Sequence, residues 1–284
     1  MSGFDPRTTL ARPDLADRGL EGLLRAARFE APRRMQCCAP SAAIRKAADK
    51  DAELQDQLLF GEGFDVLDQA DGWAWGQARR DGYVGFVDQA SLAKYEDAPT
   101  HRVRVLRTFG FARPDLKSQA SGPYSMNALV VVEREEGAFL DAGAAGWIPT
   151  RHLAPIGEVE TDPASVAERF VDTPYLWGGR DSLGLDCSGL VQQAFYACGL
   201  ACPRDTDQQM AAFPRAVAPG ELERGDLAFW KGHVGMMLDW ERMVHANAHH
   251  MAVVIEPLAE AIARIAAAGA GQPTGFRRPW SFAT

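Results

Sequence analysis

The chain has 284 residues, a formal net charge of -8 and 24% charged residues, which is the composition of an ordinary globular protein. This length predicts about two domains, or three if some are small. The acidic balance argues against a nucleic-acid-binding surface, because such a surface needs clustered Lys and Arg to release counterions from phosphates.

The sequence contains neither an apolar run long enough for a membrane span nor one typical of a signal peptide. We therefore expect a cytoplasmic protein that has no membrane partner. The cysteines agree with a reducing compartment, because the five of them form an odd set without the spacing of a disulfide framework.

Residues 1–30 are predicted to form a helical lead-in that packs on a later domain. Apolar residues recur there at helical spacing, and aspartates precede them as candidate caps. These residues are Leu20, Leu23, Leu24 and Ala27, with Asp14 or Asp17 near the start.

Residues 31–97 and 98–156 are each predicted to form a small β-domain. Short apolar runs alternate with turn signals, as where Phe64 and Val66 alternate at period two and Asp71-Gly72 follows as a turn. The segments GYVGFVDQASL and AAGWIPTRHL share an order of glycine, aromatic residue, apolar residues and a loop that ends in leucine. This internal similarity predicts two copies of one small β-barrel.

Residues 157–284 have a different pattern and are predicted to form a mixed domain. Asp162-Pro163 opens an amphipathic helix, a glycine-rich stretch follows, and another helix and several strands lead to a last helix near Leu258. The expected fold class is α+β, with two small β-barrels before a domain of strands and helices.

Cys187 is the candidate nucleophile. Apolar residues at i+3, i+4, i+7, i+8 and i+11 from it define one helix face, and Gly199 ends the helix. The helix dipole is expected to favour a thiolate at this first-turn position. A buried, inert cysteine is the commoner case. The glycines around Cys187, however, permit a close backbone approach that ordinary helix packing does not need. Cys198, at the far end of the helix, is predicted to be a small core residue.

A nucleophilic cysteine needs a base that is close in space, and His233 is the predicted one. GDLAFWKGHVGMMLD is typical of two strands joined by a tight turn at Lys231-Gly232, and RMVHAN is typical of a third strand. If three residues connect the second and third strands, His245 faces Gly235 and is a diagonal neighbour of His233. A slip of one residue would send the two histidines to opposite faces. The predicted register makes Cys187, His233 and His245 a Cys-His-polar triad.

No metal site and no cofactor are predicted. His245 and His249 have the i, i+4 spacing that binds a metal on a helix, but the apolar run at 253–255 favours a strand. Cys198 and Cys202 do not have the usual spacing of zinc ligands.

The motifs PYLWGGRDSLGLDCSGLVQQAF, PRDTDQQ, GDLAFWKGHVGMML and VHAN resemble those of the NlpC/P60 family of cysteine peptidases in order and spacing. The resemblance covers residues 160–257 and implies a papain-like catalytic domain. It also implies hydrolysis of bacterial cell-wall peptides, typically between γ-D-glutamate and a diamino acid. Carried over by motif, Cys187 is the nucleophile, His233 the base and His245 the orienting residue. The residues that the same motifs place in the substrate pocket are Asp186, Ser188 and Thr206, the last standing where serine is commoner.

The two β-units resemble bacterial SH3 domains, and the layout of the chain is similar to that of the γ-D-glutamyl-L-diamino acid endopeptidases. In that group the first SH3-like domain borders the active site. There an acidic residue and a tyrosine recognise the free amino end of L-Ala-γ-D-Glu peptides. Glu62 in LLFGE and Tyr83 in DGYVGF are the candidates in this sequence. The alternatives are a solvated turn residue for Glu62 and a barrel residue for Tyr83.

The sequence therefore predicts a cysteine endopeptidase that cleaves the γ-D-glutamyl-diamino acid bond of murein peptides with a free N-terminal L-Ala. The diamino acid is meso-diaminopimelate or lysine, and the expected role is the recycling of cell-wall peptides. Two alternatives stay open at this point: a non-catalytic cell-wall peptide-binding protein, and a papain-like acyltransferase or amidase. The three filled triad positions count against the first, and the lack of a membrane-binding stretch counts against a lipid substrate for the second.

Overall fold

The computed structural model describes residues 3–95 and 97–279. By its internal contacts the chain divides into two compact units, Met1–Ile156 and Gly157–Thr284. The first unit is built mostly from short strands, whereas the second combines helices with a five-stranded sheet. Within the described residues, no helix has the length and apolar character needed to cross a lipid bilayer.

The N-terminal segment is not an α-helix, so the predicted helical lead-in over residues 1–30 is wrong. The segment contains β1 (Ala16–Asp17), a 3-10 helix (Arg18–Leu20) and β2 (Phe29–Glu30), which pairs in parallel with β1. Gly22 has a φ of +82°, a left-handed conformation that a continuing helix does not contain.

The predicted apolar stripe of this segment is not buried as a unit: Leu20 and Leu24 are half-buried, and Leu23 and Ala27 are exposed. Leu23, one of its members, is 62% exposed. Leu10 and Leu15, which lie outside the stripe, are buried in a cluster with Trp75 and Val84. Since a short helix is stable only when its apolar face is packed, these contacts favour an irregular chain path over the predicted helix.

The first part of unit 1 forms a seven-stranded antiparallel sheet in the order β5-β4-β8-β7-β6-β3-β9. The strands are β3 (Arg33–Cys37), β4 (Ser41–Arg45), β5 (Leu54–Leu59), β6 (Gly63–Ala70), β7 (Trp73–Ala78), β8 (Val84–Asp88) and β9 (Leu92–Lys94). Its core contains Ile44, Leu58 and Phe64, all 0% exposed. Asp71 and Gly72 join β6 to β7 with φ of +52° and +82°, which is the two-residue hairpin turn that Asp-Gly predicts.

The rest of unit 1 forms a five-stranded sheet, β12-β11-β16-β15-β14, and a three-stranded sheet, β13-β10-β17. The strands are β10 (His101–Val103), β11 (Arg107–Phe111), β12 (Ala120–Ser125), β13 (Leu129–Val130), β14 (Arg134–Glu136), β15 (Phe139–Asp141), β16 (Trp147–Pro149) and β17 (Leu153–Pro155), with a 3-10 helix at Gly143–Ala145. Val103, Ile148 and Leu153 belong to the core of this part.

The internal similarity seen in the sequence is present in the structure. Each copy has a strand, a 3-10 helix and a second strand: β8, Gln89–Ser91 and β9 in the first, and β16, Thr150–His152 and β17 in the second. The strands of the first sheet lie within residues 33–94, and those of the other two lie within 101–155. We therefore propose that residues 31–97 and 98–156 are two domains within one compact unit.

The second unit has an α+β architecture. Its helices are α1 (Pro163–Glu168), α2 (Cys187–Ala197), α3 (Thr206–Ala212) and α4 (Leu258–Ala267), with a 3-10 helix at Pro219–Glu221. Its strands are β18 (Arg180–Asp181), β19 (Gly184–Leu185), β20 (Leu227–Trp230), β21 (His233–Met237), β22 (Arg242–Asn247), β23 (Ala252–Pro257) and β24 (Gly275–Arg277). β18 and β19 form a hairpin, and the others form an antiparallel sheet in the order β23-β22-β21-β20-β24.

The central helix α2 begins and ends where the sequence predicts. Asp186 caps its start by accepting the backbone N–H of Gly189 at 2.8 Å, and Gly199, with a φ of +73°, follows its end. Every residue of α2 is buried, and the helix packs on α1 and β21. The first residue of this helix is therefore held by a well-packed scaffold.

The register of the sheet around the two candidate histidines is also the predicted one. A two-residue turn joins β20 to β21. β21 and β22 pair with Met236 opposite Val244, which puts Gly235 opposite His245. His233 and His245 therefore share one face of the sheet as diagonal neighbours.

Candidate active site

Cys187 is the first residue of α2 and is 6% exposed. The chain reaches it through the β18–β19 hairpin, beside which the backbone at Gly179 packs too closely for a side chain. A Cβ on Gly179 would lie 2.5 Å from the carbonyl oxygen of Gly184. The glycine-rich sequence before Cys187 is thus explained by the close backbone approach around the thiol.

The thiol of Cys187 is protonated in the unliganded chain. Burial and the carboxylate of Asp186 raise the pKa of Cys187 to about 12. The backbone N–H groups of Val234 and Ser188 and the charge of Arg204 act in the opposite direction. The helix start does favour a thiolate through the N–H of Ser188, but burial outweighs this effect on the pKa of Cys187. A helix dipole contributes at most about 2 kcal/mol, less than the cost of placing an anion away from water.

His233 and His245 form the predicted pair. Nε2 of His233 lies 2.8 Å from Nδ1 of His245, and the ring centroids are 5.0 Å apart. This contact uses one nitrogen of His233, so Nδ1 is the nitrogen that can accept a proton. The backbone N–H of Val234, the next residue on β21, donates to the sulfur of Cys187. The structure therefore brings the thiol and the two histidines together.

Both imidazoles are neutral at neutral pH. Burial lowers the pKa of His233 to about 3, with further lowering by His245 and Arg264 and opposition from Glu256. Burial also lowers the pKa of His245, against the influence of Glu256. The resting site therefore holds a neutral thiol beside a neutral imidazole rather than a thiolate–imidazolium pair.

A carboxylate that the sequence analysis did not identify lies behind His245. Oε1 of Glu256 is 2.6 Å from Nε2 of His245, and Arg264 on α4 forms an ion pair with the same carboxylate. Although burial opposes the effect, the hydrogen bonds from His245 and Arg264 lower the pKa of Glu256 to about 2. The two-residue periodicity of strands was the sequence signal that could have identified Glu256. Glu256 pairs with Met243, and Met243 lies on the same face of the sheet as His245.

Arg204 is a second residue that the sequence analysis missed, and it explains the position of Asp186 and Ser188. It is 1% exposed, and its guanidinium binds Asp186 at 3.0 and 2.6 Å and the hydroxyl of Ser188 at 2.8 Å. Asp186 and Ser188 were predicted to line the substrate pocket. Their side chains are buried, bind each other and support the start of α2, and their place in the substrate pocket stays a prediction. The third predicted pocket residue, Thr206, is half-buried at the first position of α3.

Tyr175, in the PYLWGG motif, is electrostatically coupled to the thiol. Burial and the nearby Cys187 and Asp186 raise the pKa of its hydroxyl. This hydroxyl therefore remains protonated and able to donate a hydrogen bond. In the same segment Trp177 is 60% exposed and Leu183 is 52% exposed, so this stretch also presents apolar surface.

Glu62 and Tyr83 are both in the interior of unit 1. Glu62 is 1% exposed, its Oε1 binds Arg80 at 2.7 Å, and its Oε2 accepts the backbone N–H of Leu59 at 3.0 Å. Tyr83 is 3% exposed and belongs to the core of the seven-stranded sheet. That these residues recognise a substrate amino group stays a prediction. Arg80 already neutralises the carboxylate, and the tyrosine is packed in the core.

The other histidines and cysteines do not assemble a metal centre in the part of the chain that the structure describes. His245 lies on a strand, so it and His249 lack the helical geometry that their spacing would need. The ring of His249 packs against His250 with centroids 4.7 Å apart. Cys198 and Cys202 are both buried.

Comparison with family models finds two matches. The NlpC/P60 family model matches residues 172–270, which include Cys187, His233 and His245. The model described as the bacterial dipeptidyl-peptidase Sh3 domain matches residues 44–92, within the seven-stranded sheet.

Similar proteins extend over most of the chain. The gamma-D-glutamyl-L-lysine dipeptidyl-peptidase of Bacillus cereus is 32% identical over 242 residues, which cover 72% of this chain and 71% of that protein. The Bacillus subtilis protein of the same name is 27% identical over 235 residues, which cover 75% of this chain and 78% of that protein. The crystal structure of an NlpC/P60 family protein from Bacillus cereus covers 87% of this chain and 100% of its own, with a TM-score of 0.75 at 19% identity. This last likeness shows a common fold.

The similarity to the Bacillus proteins extends across both units, and the family model covers the thiol and both histidines. The chain therefore belongs to the NlpC/P60 family of cysteine peptidases, carries a bacterial SH3 domain before the catalytic domain, and acts on peptidoglycan peptides.

Proposed function

We propose that this chain hydrolyses the bond between γ-D-glutamate and a diamino acid, meso-diaminopimelate or lysine, in murein peptides that begin with a free L-Ala. The observation that carries the proposal is the 2.8 Å contact between His233 and His245. It lies next to the thiol, because the backbone N–H of Val234 donates a hydrogen bond to the sulfur of Cys187. The names of the two Bacillus relatives, gamma-D-glutamyl-L-lysine dipeptidyl-peptidases, support this choice of bond.

In the proposed mechanism the sulfur of Cys187 attacks the γ-carbonyl carbon of D-glutamate while Nδ1 of His233 takes the thiol proton. When the tetrahedral intermediate collapses, that proton passes to the amine of the diamino acid, which leaves. Water then attacks the resulting thioester and gives one proton to His233. Release of the dipeptide returns this proton to the sulfur. His245 holds His233 in one orientation through both steps.

The pKa values favour attack that is concerted with proton transfer. With the pKa of Cys187 near 12 and that of His233 near 3, separated ions are costly before the substrate binds. During attack the negative charge moves from sulfur to the carbonyl oxygen. The backbone N–H of Cys187, at the first position of α2, has no acceptor within the helix and suits a developing oxyanion.

The proposed substrate class also accounts for where the enzyme would act. A dipeptidyl-peptidase releases two residues from an amino end, so its peptide substrate has a free L-Ala amine and is no longer attached to glycan. We therefore place the reaction in the recycling of released wall peptides in the cytoplasm. Cell fractionation with an antibody against the chain tests the location, because recovery outside the cytoplasmic fraction would contradict it.

The activity is tested with the tripeptides L-Ala-γ-D-Glu-meso-diaminopimelate and L-Ala-γ-D-Glu-L-Lys, with mass spectrometry to detect L-Ala-D-Glu. Cys187→Ala is the matched inactive control, because it removes only the sulfur. Failure to cleave either peptide would contradict the proposed bond. Equal cleavage of the N-acetylated tripeptides would contradict recognition of a free amino end.

A further inference from the structure

We infer that Glu256 is a positioning residue of this site. Its carboxylate fixes which nitrogen of His245 carries the proton, and through His245 it fixes the tautomer of His233. The inference rests on the proposed function, in which His233 is the base. Neither the sequence motifs nor the family matches assign a role to Glu256 or to its partner Arg264.

The three side chains form a continuous row across adjacent strands. His233 is on β21, His245 on β22 and Glu256 on β23, each a diagonal neighbour of the one before. The contacts are 2.8 Å between the histidines and 2.6 Å between His245 and Glu256. His245, in the middle, is 0% exposed, and the side chain of Glu256 is 13% exposed. Water therefore cannot readily substitute for either contact.

An ionised carboxylate determines the positions of the protons along this row. A carboxylate only accepts hydrogen bonds, so Nε2 of His245 carries a proton and donates it to Glu256. Nδ1 of a neutral His245 is then an acceptor, and it accepts the Nε2–H of His233. Nδ1 of His233 is left with its lone pair. This is the form that can take a proton from a thiol.

The amide of Asn247 offers a competing arrangement, and the geometry disfavours it. Nδ2 of Asn247 lies 3.1 Å from Nε2 of His245, where it could donate to an unprotonated nitrogen. The Oδ1 atom of Asn247 accepts the backbone N–H of His250 at 2.9 Å, so the amide is held with Nδ2 toward His245. The Glu256 contact is shorter at 2.6 Å and carries a full charge. A lone pair on Nε2 would face that charge directly, so the protonated form is favoured.

The charged groups around the row keep Glu256 ionised. Arg264, from α4, forms an ion pair with Glu256. It lowers the pKa of that carboxyl and also disfavours charge on His233 and His245. His250, from the turn after β22, disfavours charge on His245 in the same way. Glu256 is the group that raises the pKa of both histidines, and its effect does not overcome burial.

Kinetics of Glu256 variants test the role. Glu256→Leu removes the acceptor, so kcat is expected to fall by about 10²-fold while KM changes by less than about threefold. Glu256→Gln keeps an oxygen that can accept the proton of His245, and is expected to recover about a tenth or more of the lost activity. Loss of the charge lowers the pKa of His233 further. The acidic limb of the kcat/KM profile therefore moves to lower pH in both variants.

Nitrogen NMR of histidine-labelled protein reads the tautomers without any substrate. In the wild type, Nε2 of both His233 and His245 is expected to give a protonated, pyrrole-type signal, and Nδ1 a pyridine-type signal. In Glu256→Leu, His245 is expected to give a mixture of the two tautomers. Glu260→Gln is the matched control, because this substitution removes the same negative charge as Glu256→Gln, but at an exposed position of α4.

The outcomes separate this inference from the proposed function. If the wild type cleaves no murein peptide, the proposed function fails, and the nitrogen spectrum still decides the role of Glu256. An Nδ1-protonated His245 in the wild type would overturn the inference. So would a Glu256→Leu variant with wild-type tautomers and kcat within about twofold. If Glu256→Leu does not fold, Glu256→Gln and the wild-type spectrum give the answer.

Discussion

Replacing Arg204 with methionine tests whether a buried ion pair holds the helix that carries the nucleophile. Arg204 is 1% exposed and makes three contacts at the start of α2, two with Asp186 at 3.0 and 2.6 Å and one with Ser188 at 2.8 Å. Methionine fills a similar volume but donates no hydrogen bond. The carboxylate of Asp186 would then lie buried without a compensating charge.

The expected cost can be estimated from these contacts. Removing one partner of a buried ion pair typically costs about 3–5 kcal/mol. The carboxylate of Asp186 keeps its hydrogen bonds from the backbone N–H groups of Gly178 at 3.0 Å and Gly189 at 2.8 Å. We therefore expect the loss of unfolding free energy to lie at the lower end of this range, about 3 kcal/mol. Since every 1.4 kcal/mol is about tenfold, amide protection in α2 is expected to fall by about 150-fold.

Hydrogen exchange followed by mass spectrometry on peptides from α2 measures this loss locally, which matters because the two compact units need not unfold together. Arg215→Met, at an exposed position, is the matched control. In a double-mutant cycle, Asp186→Asn and Arg204→Met together should cost about 2 kcal/mol less than the sum of the single changes. Additive losses, or protection in Arg204→Met within about threefold of the wild type, would refute the argument.

Three further predictions follow from the site and its surroundings. Gly235→Ala should lower kcat by about tenfold, because the new Cβ would lie 2.9 Å from Sδ of Met243 and 3.3 Å from Cβ of His245, and the resulting shift perturbs the histidine pair. Glu62→Gln should lower the Tm of the protein and leave KM for the tripeptide unchanged, because its ion pair supports unit 1. Stability should decline as pH falls from about 6.5 toward 3, because burial lowers the pKa of His233 to about 3 and also lowers that of His245. The unfolded chain then binds protons that the folded chain does not. Urea unfolding at several pH values between 7.5 and 4 measures how the free energy of unfolding falls with pH.

Each of these has a result that would contradict it. Gly220→Ala is the control for the glycine change, because no atom lies within 4 Å of a Cβ at that position; equal kcat in both variants would exclude the steric argument. A raised KM with an unchanged Tm in Glu62→Gln would make Glu62 a substrate contact. A His245→Gln variant with the same acid sensitivity as the wild type would show that His245 does not contribute to it, and the same result for His233→Gln would exclude His233.

The predicted triad depended on local rules that tertiary packing did not overturn. The helix from Cys187 to Gly199 follows from apolar spacing and from caps at both ends, which act within one turn of the chain. The register that unites His233 with His245 follows from loop length, because a hairpin of given length admits one pairing. Motif order then indicated the chemistry.

The remaining features required the folded structure, because they depend on what each side chain is buried against. The protonated state of Cys187 results from desolvation, which the helix-start argument does not include. Glu62 and Tyr83 were candidates in the sequence, and only the fold shows that both are buried. The segment before residue 31 has helical spacing, but the fold buries Leu10 and Leu15 rather than its stripe, so it forms other structure.

The partnerships of Arg204 and Glu256 were also decided only in three dimensions. Arg204 meets Asp186 from 18 residues away, and Glu256 meets His245 across a strand pair. The sequence by itself predicted the nucleophile and its base, and it determined the elements that carry them, because caps, turns and strand periodicity are local properties. Tertiary structure decided the protonation states and the supporting charges, since these depend on burial and on neighbours that are distant in the chain.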